Sequence, residues 1–358
     1  MSQLTRAESK AKAQKRRNRF AAVVAVLGVL FVSFSYYFYQ VFYTPNVETK
    51  GQPTYVLIRQ GQSYKAVMDS IDATGVVIDR LSFRFVAKLM KYNELVKPGR
   101  YELKDDYTNR ELVNDLRRGI QSPLKLTFQN IRLRQDLAAK LSTTIDARPN
   151  EFDSLLSSPS YTRSLGFDTT SILSMFIPNT YELYWNTSAE NLMQRMKKEY
   201  DKFWTPARDA KAKALNLSRT QVSTLASIVE AEQQQHADER PRVAGVYLNR
   251  LERGMLLQAD PTVVYANGDF GIKRVLNVHL AKDSPYNTYK YKGLPPGPIN
   301  LPSIASIDAV LNPEEHKYIY FCAKEDFSGY HAFATNERDH LLNARRYQAA
   351  LTRSGIMK

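Results

Sequence analysis

The chain has 358 residues, enough for two or three domains with buried cores, and 50 Lys and Arg against 36 Asp and Glu leave it at +14. Seven basic residues and one acid, Glu8, fall within the first nineteen positions, directly before an apolar span. That placement suits a tail facing anionic lipid and argues against nucleic acid as a partner, and the lone Cys322 excludes an intrachain disulfide.

From Phe20 to Tyr43 runs FAAVVAVLGVLFVSFSYYFYQVFY, 24 residues without a charge. At about 1.5 Å per helical residue this covers a hydrocarbon core of about 30 Å. Tyr36, Tyr37, Tyr39 and Tyr43 form an aromatic belt at its far end. Basic residues before the span and few after it predict a cytoplasmic N-terminus and a bulk outside the cytoplasm. The segment is longer than a signal-peptide core and lacks small residues at a cleavage site, so an uncleaved anchor is expected.

After the polar linker TPNVETKGQPT, residues 54–120 alternate short strands and helices. YVLI reads as a strand, Gly61 as a turn, and Ser63 as the cap of a helix carrying Val67, Met68 and Ile71. GRYEL is a second strand, and Thr108 with Glu111 makes a capping box for a helix that stops at Gly119. A further strand–helix unit begins at LKLTF and continues into RQDLAAKLS. None of these segments carries a His pair or a phosphate loop.

Beyond residue 171 the chain turns rich in Tyr, Asn, Pro and Gly, in clusters such as FIPNTYEL, QADPTVVYANG and SPYNTYKYKGLPPGPINLPS. Long loops of this composition are costly to order unless they line a site. His236, His279, His316, His331 and His340 make no H-E-x-x-H pair, so neither a metal nor a cofactor is expected. Neither a G-x-S-x-G elbow nor an S-x-x-K start is present. Cys322, in the apolar run YIYFCA, reads as a small buried residue.

Carboxylate chemistry remains. Ser218 and Gln221 open a helix whose apolar stripe is Val222, Leu225, Ala226 and Val229. At about 100° per residue, Glu230 and Glu232 fall on opposite flanks of that stripe and are not expected to act as a facing pair. Glu230 stands where the helix leaves the apolar interior, so its neighbours can raise its pKa. Tyr-rich loops suit sugar faces, Asn and Gln suit hydroxyls, and glycosidic cleavage needs an acid at the leaving oxygen. Gln258 and Asp260 are polar residues bracketed by apolar ones, as substrate-orienting groups are. Asp260 is the candidate second carboxylate for hydrolysis; alternatively a substrate hydroxyl attacks, with one Glu acting first as acid and then as base.

The ordered run SIVEAE, NRLERGMLLQADPTVVY, SPYNTYKYKGLPPGPI and HAFATNERDH resembles the MltG-type (YceG-like) endolytic murein transglycosylases, as does the upstream FIPNTYEL. The resemblance implies a membrane-anchored lyase that cuts peptidoglycan between N-acetylmuramic acid and N-acetylglucosamine, leaving 1,6-anhydromuramic ends. It implies Glu230 as the catalytic acid–base, with Glu232, Gln258, Asp260, Asn287 and Tyr289 around the substrate. Peptidoglycan synthases are candidate partners. The chain departs from the family pattern at Asn179, at Ala231, at Asn300–Ser303, and in FQNIRLRQ, which lacks a turn Gly.

The expected fold class is α+β. Its parts are a basic tail at 1–19, a single transmembrane helix at 20–43, and a LysM-like peptidoglycan-binding module at 44–122. A second strand–helix unit or connector occupies 123–170, and a mixed α+β catalytic domain 171–358. A hydrolase of the same glycan and a non-catalytic peptidoglycan-binding scaffold stand as alternatives.

Overall fold

A computed structural model describes residues 2–128 and 131–355; Gln129 and Asn130 of the FQNIRLRQ departure lie outside them. The chain mixes helices with short strands and divides into two compact units, residues 1–124 with 184–186, and 125–183 with 187–358.

The first unit begins with α1 (Ser2–Tyr43), which takes in both the basic tail and the apolar span. Within it Glu8–Tyr43 is the one helix among the described residues long and apolar enough to cross a membrane. Next come β1 (Thr54–Ile58), α2 (Tyr64–Thr74), α3 (Arg80–Leu89), β2 (Gly99–Leu103) and α4 (Asn109–Arg118). β1 and β2 pair antiparallel, Thr54 opposite Leu103 and Ile58 opposite Gly99. Alternation along each strand turns Val56, Ile58, Tyr101 and Leu103 inward, where they meet Val67, Met68 and Ile71 of α2 and Leu112 and Leu116 of α4. Ser63 caps α2, and the Thr108–Glu111 box opens α4, which ends on Gly119 at φ 76°.

The second unit comprises β3 (Leu124–Thr127), α5 (Arg134–Thr144), α6 (Pro149–Ser157), α7 (Pro159–Ser164), β4 (Thr180–Leu183), α8 (Ala189–Phe203), α9 (Pro206–Ala214), α10 (Arg219–Glu232), α11 (Arg240–Glu252), α12 (Asp260–Asn267), α13 (Asn277–Leu280), α14 (Ile304–Leu311), β5 (Tyr320–Ala323), β6 (His331–Ala334) and α15 (Glu337–Arg353). β3 pairs with β4, and Phe128 packs against Phe176 and Tyr181 at ring separations of 5.7 Å. The boundary expected at residue 170 therefore separates no compact units, because the strand–helix segment before it shares a sheet and a core with residues 176–183. FIPNTYEL is part of that core: Phe176, Ile177 and Tyr181 are buried, and the Tyr181 hydroxyl donates to the Ile177 carbonyl at 2.7 Å.

Helix α10 is the axis of this unit. Its Ser218–Gln221 capping box forms, and Val222, Leu225, Ala226, Ile228 and Val229 are wholly buried against α11 and α14. Cys322 is half-buried rather than buried, since β5 and β6 form only a two-stranded ribbon.

Candidate active site

The last turn of α10 opens into a cavity of about 1040 Å³ lined by Glu230, Glu232, Asp260, Arg132, Tyr265 and Phe270, among others. Its volume is at the upper end of the usual range for ligand pockets, about 300–1,000 Å³. Glu230 and Glu232 both line it, each held by a different wall. The helix ends at Glu232, and Gln233 leaves the helical region at φ −125° and ψ 84°.

Glu230 is held by the far wall. Its Oε2 accepts hydrogen bonds from the Ser303 backbone N–H at 2.6 Å, the Ser303 hydroxyl at 2.7 Å and the Ser306 hydroxyl at 2.7 Å. Ser303 is the N-cap of α14, so the helix that starts there also aims its positive end at the carboxyl. Arg240, buried at the head of α11, donates to both serine oxygens at 3.3 and 3.1 Å and to the Gln233 carbonyl at 2.9 Å. The Ser227 hydroxyl, one turn earlier on α10, accepts from the Ile299 N–H at 3.0 Å and ties the same loop down. All three of these bonds to the carboxyl go to Oε2.

Glu232 lives in a different environment. Burial pushes its carboxyl up to about 7, against a bond to Oε1 from the Tyr247 hydroxyl at 2.9 Å and with the charge of Asp260 adding to the rise. Asp260 opens α12 and accepts from the Tyr289 hydroxyl at 2.6 Å. Burial and that bond push the Tyr289 phenol up, so it stays a donor.

Of the five expected substrate residues, only Glu232 and Asp260 line the cavity; Tyr289, Asn287 and Gln258 do not. Asn287 is wholly buried: its amide nitrogen donates to the Leu280 and Lys282 carbonyls at 2.9 and 2.7 Å, and its Oδ1 accepts from the Tyr289 N–H. It shapes the loop that presents Tyr289. Gln258 stands at φ 50°, with its N–H on the Thr288 carbonyl at 3.1 Å and its side-chain oxygen toward Arg250 at 3.4 Å. Its backbone thereby joins the same loop to the start of α12.

Sequence reasoning missed Arg132 and Asp136, which reach the cavity from the strand–helix segment before α5 and from α5 itself. It also missed the serine clamp, although Ser303 sits within the Asn300–Ser303 departure. Behind the helix end, Gln233, Glu239 and His331 form a buried polar knot, with His331 Nδ1 2.7 Å from Glu239 Oε2. Burial raises the Glu239 carboxyl, but bonds from His331 and Gln233 outweigh it and leave it below its ordinary range.

The YceG-like family matches residues 56–346. The endolytic murein transglycosylase of Streptococcus pneumoniae serotype 2 (strain D39) is 27% identical over 324 residues, covering 81% of this chain and 57% of that protein. The protein of the same name from Bacillus subtilis (strain 168) is 38% identical over 162 residues, 45% of this chain and 44% of that one. The chain thus spans about half the length of these curated relatives. The crystal structure of a YceG-like protein from Listeria monocytogenes superposes with a TM-score of 0.55 at 27% identity, over 81% of this chain and 98% of that one. With the family pattern running through most of the chain and the fold shared with a solved member, this protein belongs to the YceG-like family.

Proposed function

We propose that the chain is a membrane-anchored endolytic lytic transglycosylase, a lyase that cleaves peptidoglycan strands between N-acetylmuramic acid and N-acetylglucosamine and so terminates their elongation. The observation that carries this reading is a glutamate fixed through one oxygen at the edge of a large polar cavity. Glu230 would deliver the proton on Oε1 to the glycosidic oxygen as the bond to the muramic C1 breaks. The same oxygen would then take the proton of the muramic C6 hydroxyl as that oxygen attacks C1, closing the 1,6-anhydro ring and restoring the acid. The serine clamp keeps the carboxyl from rotating between the two steps, while Tyr265 and Phe270 offer rings to sugar faces.

A second assignment of the proton donor is favoured by the setting of Glu232, which lines the same cavity and whose carboxyl burial pushes up to about 7. In that case Glu230 would stabilise the oxocarbenium-like centre. Hydrolysis through Asp260 is the remaining alternative. Mass analysis of digested, uncrosslinked strands separates these chemistries, since anhydro ends mark the transglycosylase, reducing ends the hydrolase and uncut strands a binding scaffold.

The topology that goes with this function has the N-terminus in the cytoplasm and the rest outside, with peptidoglycan synthases as partners and the first unit as a LysM-like glycan-binding module. Protease added to spheroplasts would digest the large domain; survival of that domain while an exported control is degraded would refute the orientation.

A further inference from the structure

Helix α3 carries its hydrophobic residues on both sides. Ser82, Phe83, Val86 and Ala87 face the core of the first unit. On the opposite side Leu81, Phe85 and Leu89, spaced four apart, stand in solvent with exposures of 82%, 54% and 56%, and Ile78 just before the helix is 64% exposed. A helix of a soluble domain turns a polar face outward. Here the only charges on the helix are Arg80, Arg84 and Lys88, with Lys91 just beyond its end, and no acid is among them.

The position of this stripe explains it. Val41 and Phe42, the last turn of α1, are buried in the core of the first unit. The Asn109 amide donates to the Val41 carbonyl at 2.9 Å and to the Ser82 hydroxyl at 3.0 Å, so one side chain joins the exit of α1 to the first turn of α3. Asn46 bonds both the N–H and the carbonyl of Asp79, the N-cap of α3, at 2.7 and 2.9 Å. About twenty residues of α1 fill a hydrocarbon core, so an apolar span starting at Phe20 ends near Tyr39, within a turn of this lock.

We propose that the outer face of α3, with Ile78, Leu81, Phe85 and Leu89, lies in the lipid interface beside the point where α1 leaves the bilayer. The stripe enters the headgroup region and Arg80, Lys88 and Lys91 meet anionic lipid, as in interfacial amphipathic helices. The anchor is then a two-point contact. It limits how freely the first unit pivots at the membrane, which a single helix and a flexible linker would not do.

The test uses the full chain carrying Cys322→Ser, reconstituted in vesicles of phosphatidylethanolamine and phosphatidylglycerol. Single cysteines at Leu81, Phe85 and Leu89 are labelled with an environment-sensitive fluorophore, and spin-labelled lipid is added as quencher. Phe34→Cys in the span and Lys65→Cys on α2 serve as lipid and water controls. The expected result is blue-shifted emission and lipid quenching at the three α3 positions, with Phe34 quenched and Lys65 not. Water-like emission at all three positions, with Phe34 still quenched, would overturn the proposal while leaving the anchor intact. Blue-shifted emission without lipid quenching would also overturn it, since protein and not lipid would then cover the stripe.

Discussion

Replacing Glu232 by Gln should make the second unit more stable at alkaline pH and leave it unchanged in mild acid. The carboxyl is raised from 4.5 to about 7 by burial, so between those values the folded chain holds a proton that the unfolded chain has released. Stability must therefore fall as pH rises through this window, with the full penalty present above about 7. At about 1.4 kcal/mol per unit the shift corresponds to roughly 3 kcal/mol. Residual solvent exposure of Glu232 screens part of this, leaving about 1–3 kcal/mol. The amide that replaces the carboxyl keeps an oxygen to accept from Tyr247, so the variant removes the ionisation and little else. Denaturant unfolding of the detergent-solubilised chain from pH 4 to 8, followed through the buried Trp204, measures the effect. Coincident curves at pH 4 that diverge toward pH 8, with the variant above, are expected. Parallel pH dependences in the two proteins would refute the claim that Glu232 is desolvated.

Ser306→Ala removes a buried donor to Glu230, a contact to a charged group of about 1.5–3 kcal/mol, so turnover should fall about 10–100-fold with KM unchanged; an unaltered kcat would remove the clamp from the mechanism. Glu239→Gln replaces a carboxylate oxygen that bonds both His331 and Gln233 and should cost about 1–3 kcal/mol. Because the folded Glu239 is held low, its contribution is present above the unfolded carboxylate range and is lost as pH falls through the folded value, so the variant should lose part of the acid sensitivity seen in denaturation of the parent. Gly297→Ala would set a Cβ 2.1 Å from the Thr170 carbonyl oxygen, a backbone atom that cannot swing away, and should cost about 1–3 kcal/mol in unfolding experiments.

Local chemistry made much of the fold readable. Ser63, Thr108 with Glu111, Gly119 and Ser218 with Gln221 each satisfy helix-end groups within a few residues of themselves, so pattern alone located the start of α2, both ends of α4 and the start of α10. The apolar stripe of α10 is buried, but so are Ser223, Thr224 and Ser227 on its other sides, because the helix is covered all round. What pattern could not supply was anything made across long separations. The pairing of β3 with β4 merges an expected connector into the second unit, and the Ser303–Glu230 bonds join positions far apart in the chain. Asn287 shows a different error, a polar residue in a polar loop whose amide is wholly occupied by backbone.

The most direct measurement compares Glu230→Gln, Glu232→Gln and Asp260→Asn with the parent on purified uncrosslinked glycan strands, with products identified by mass spectrometry. If Glu230 serves as both acid and base, the parent releases 1,6-anhydromuramic ends and Glu230→Gln loses about 10²- to 10⁴-fold in turnover while still binding strands. Glu232→Gln and Asp260→Asn should lose less. Near-parental turnover by Glu230→Gln, with the same anhydro products, would contradict that assignment outright.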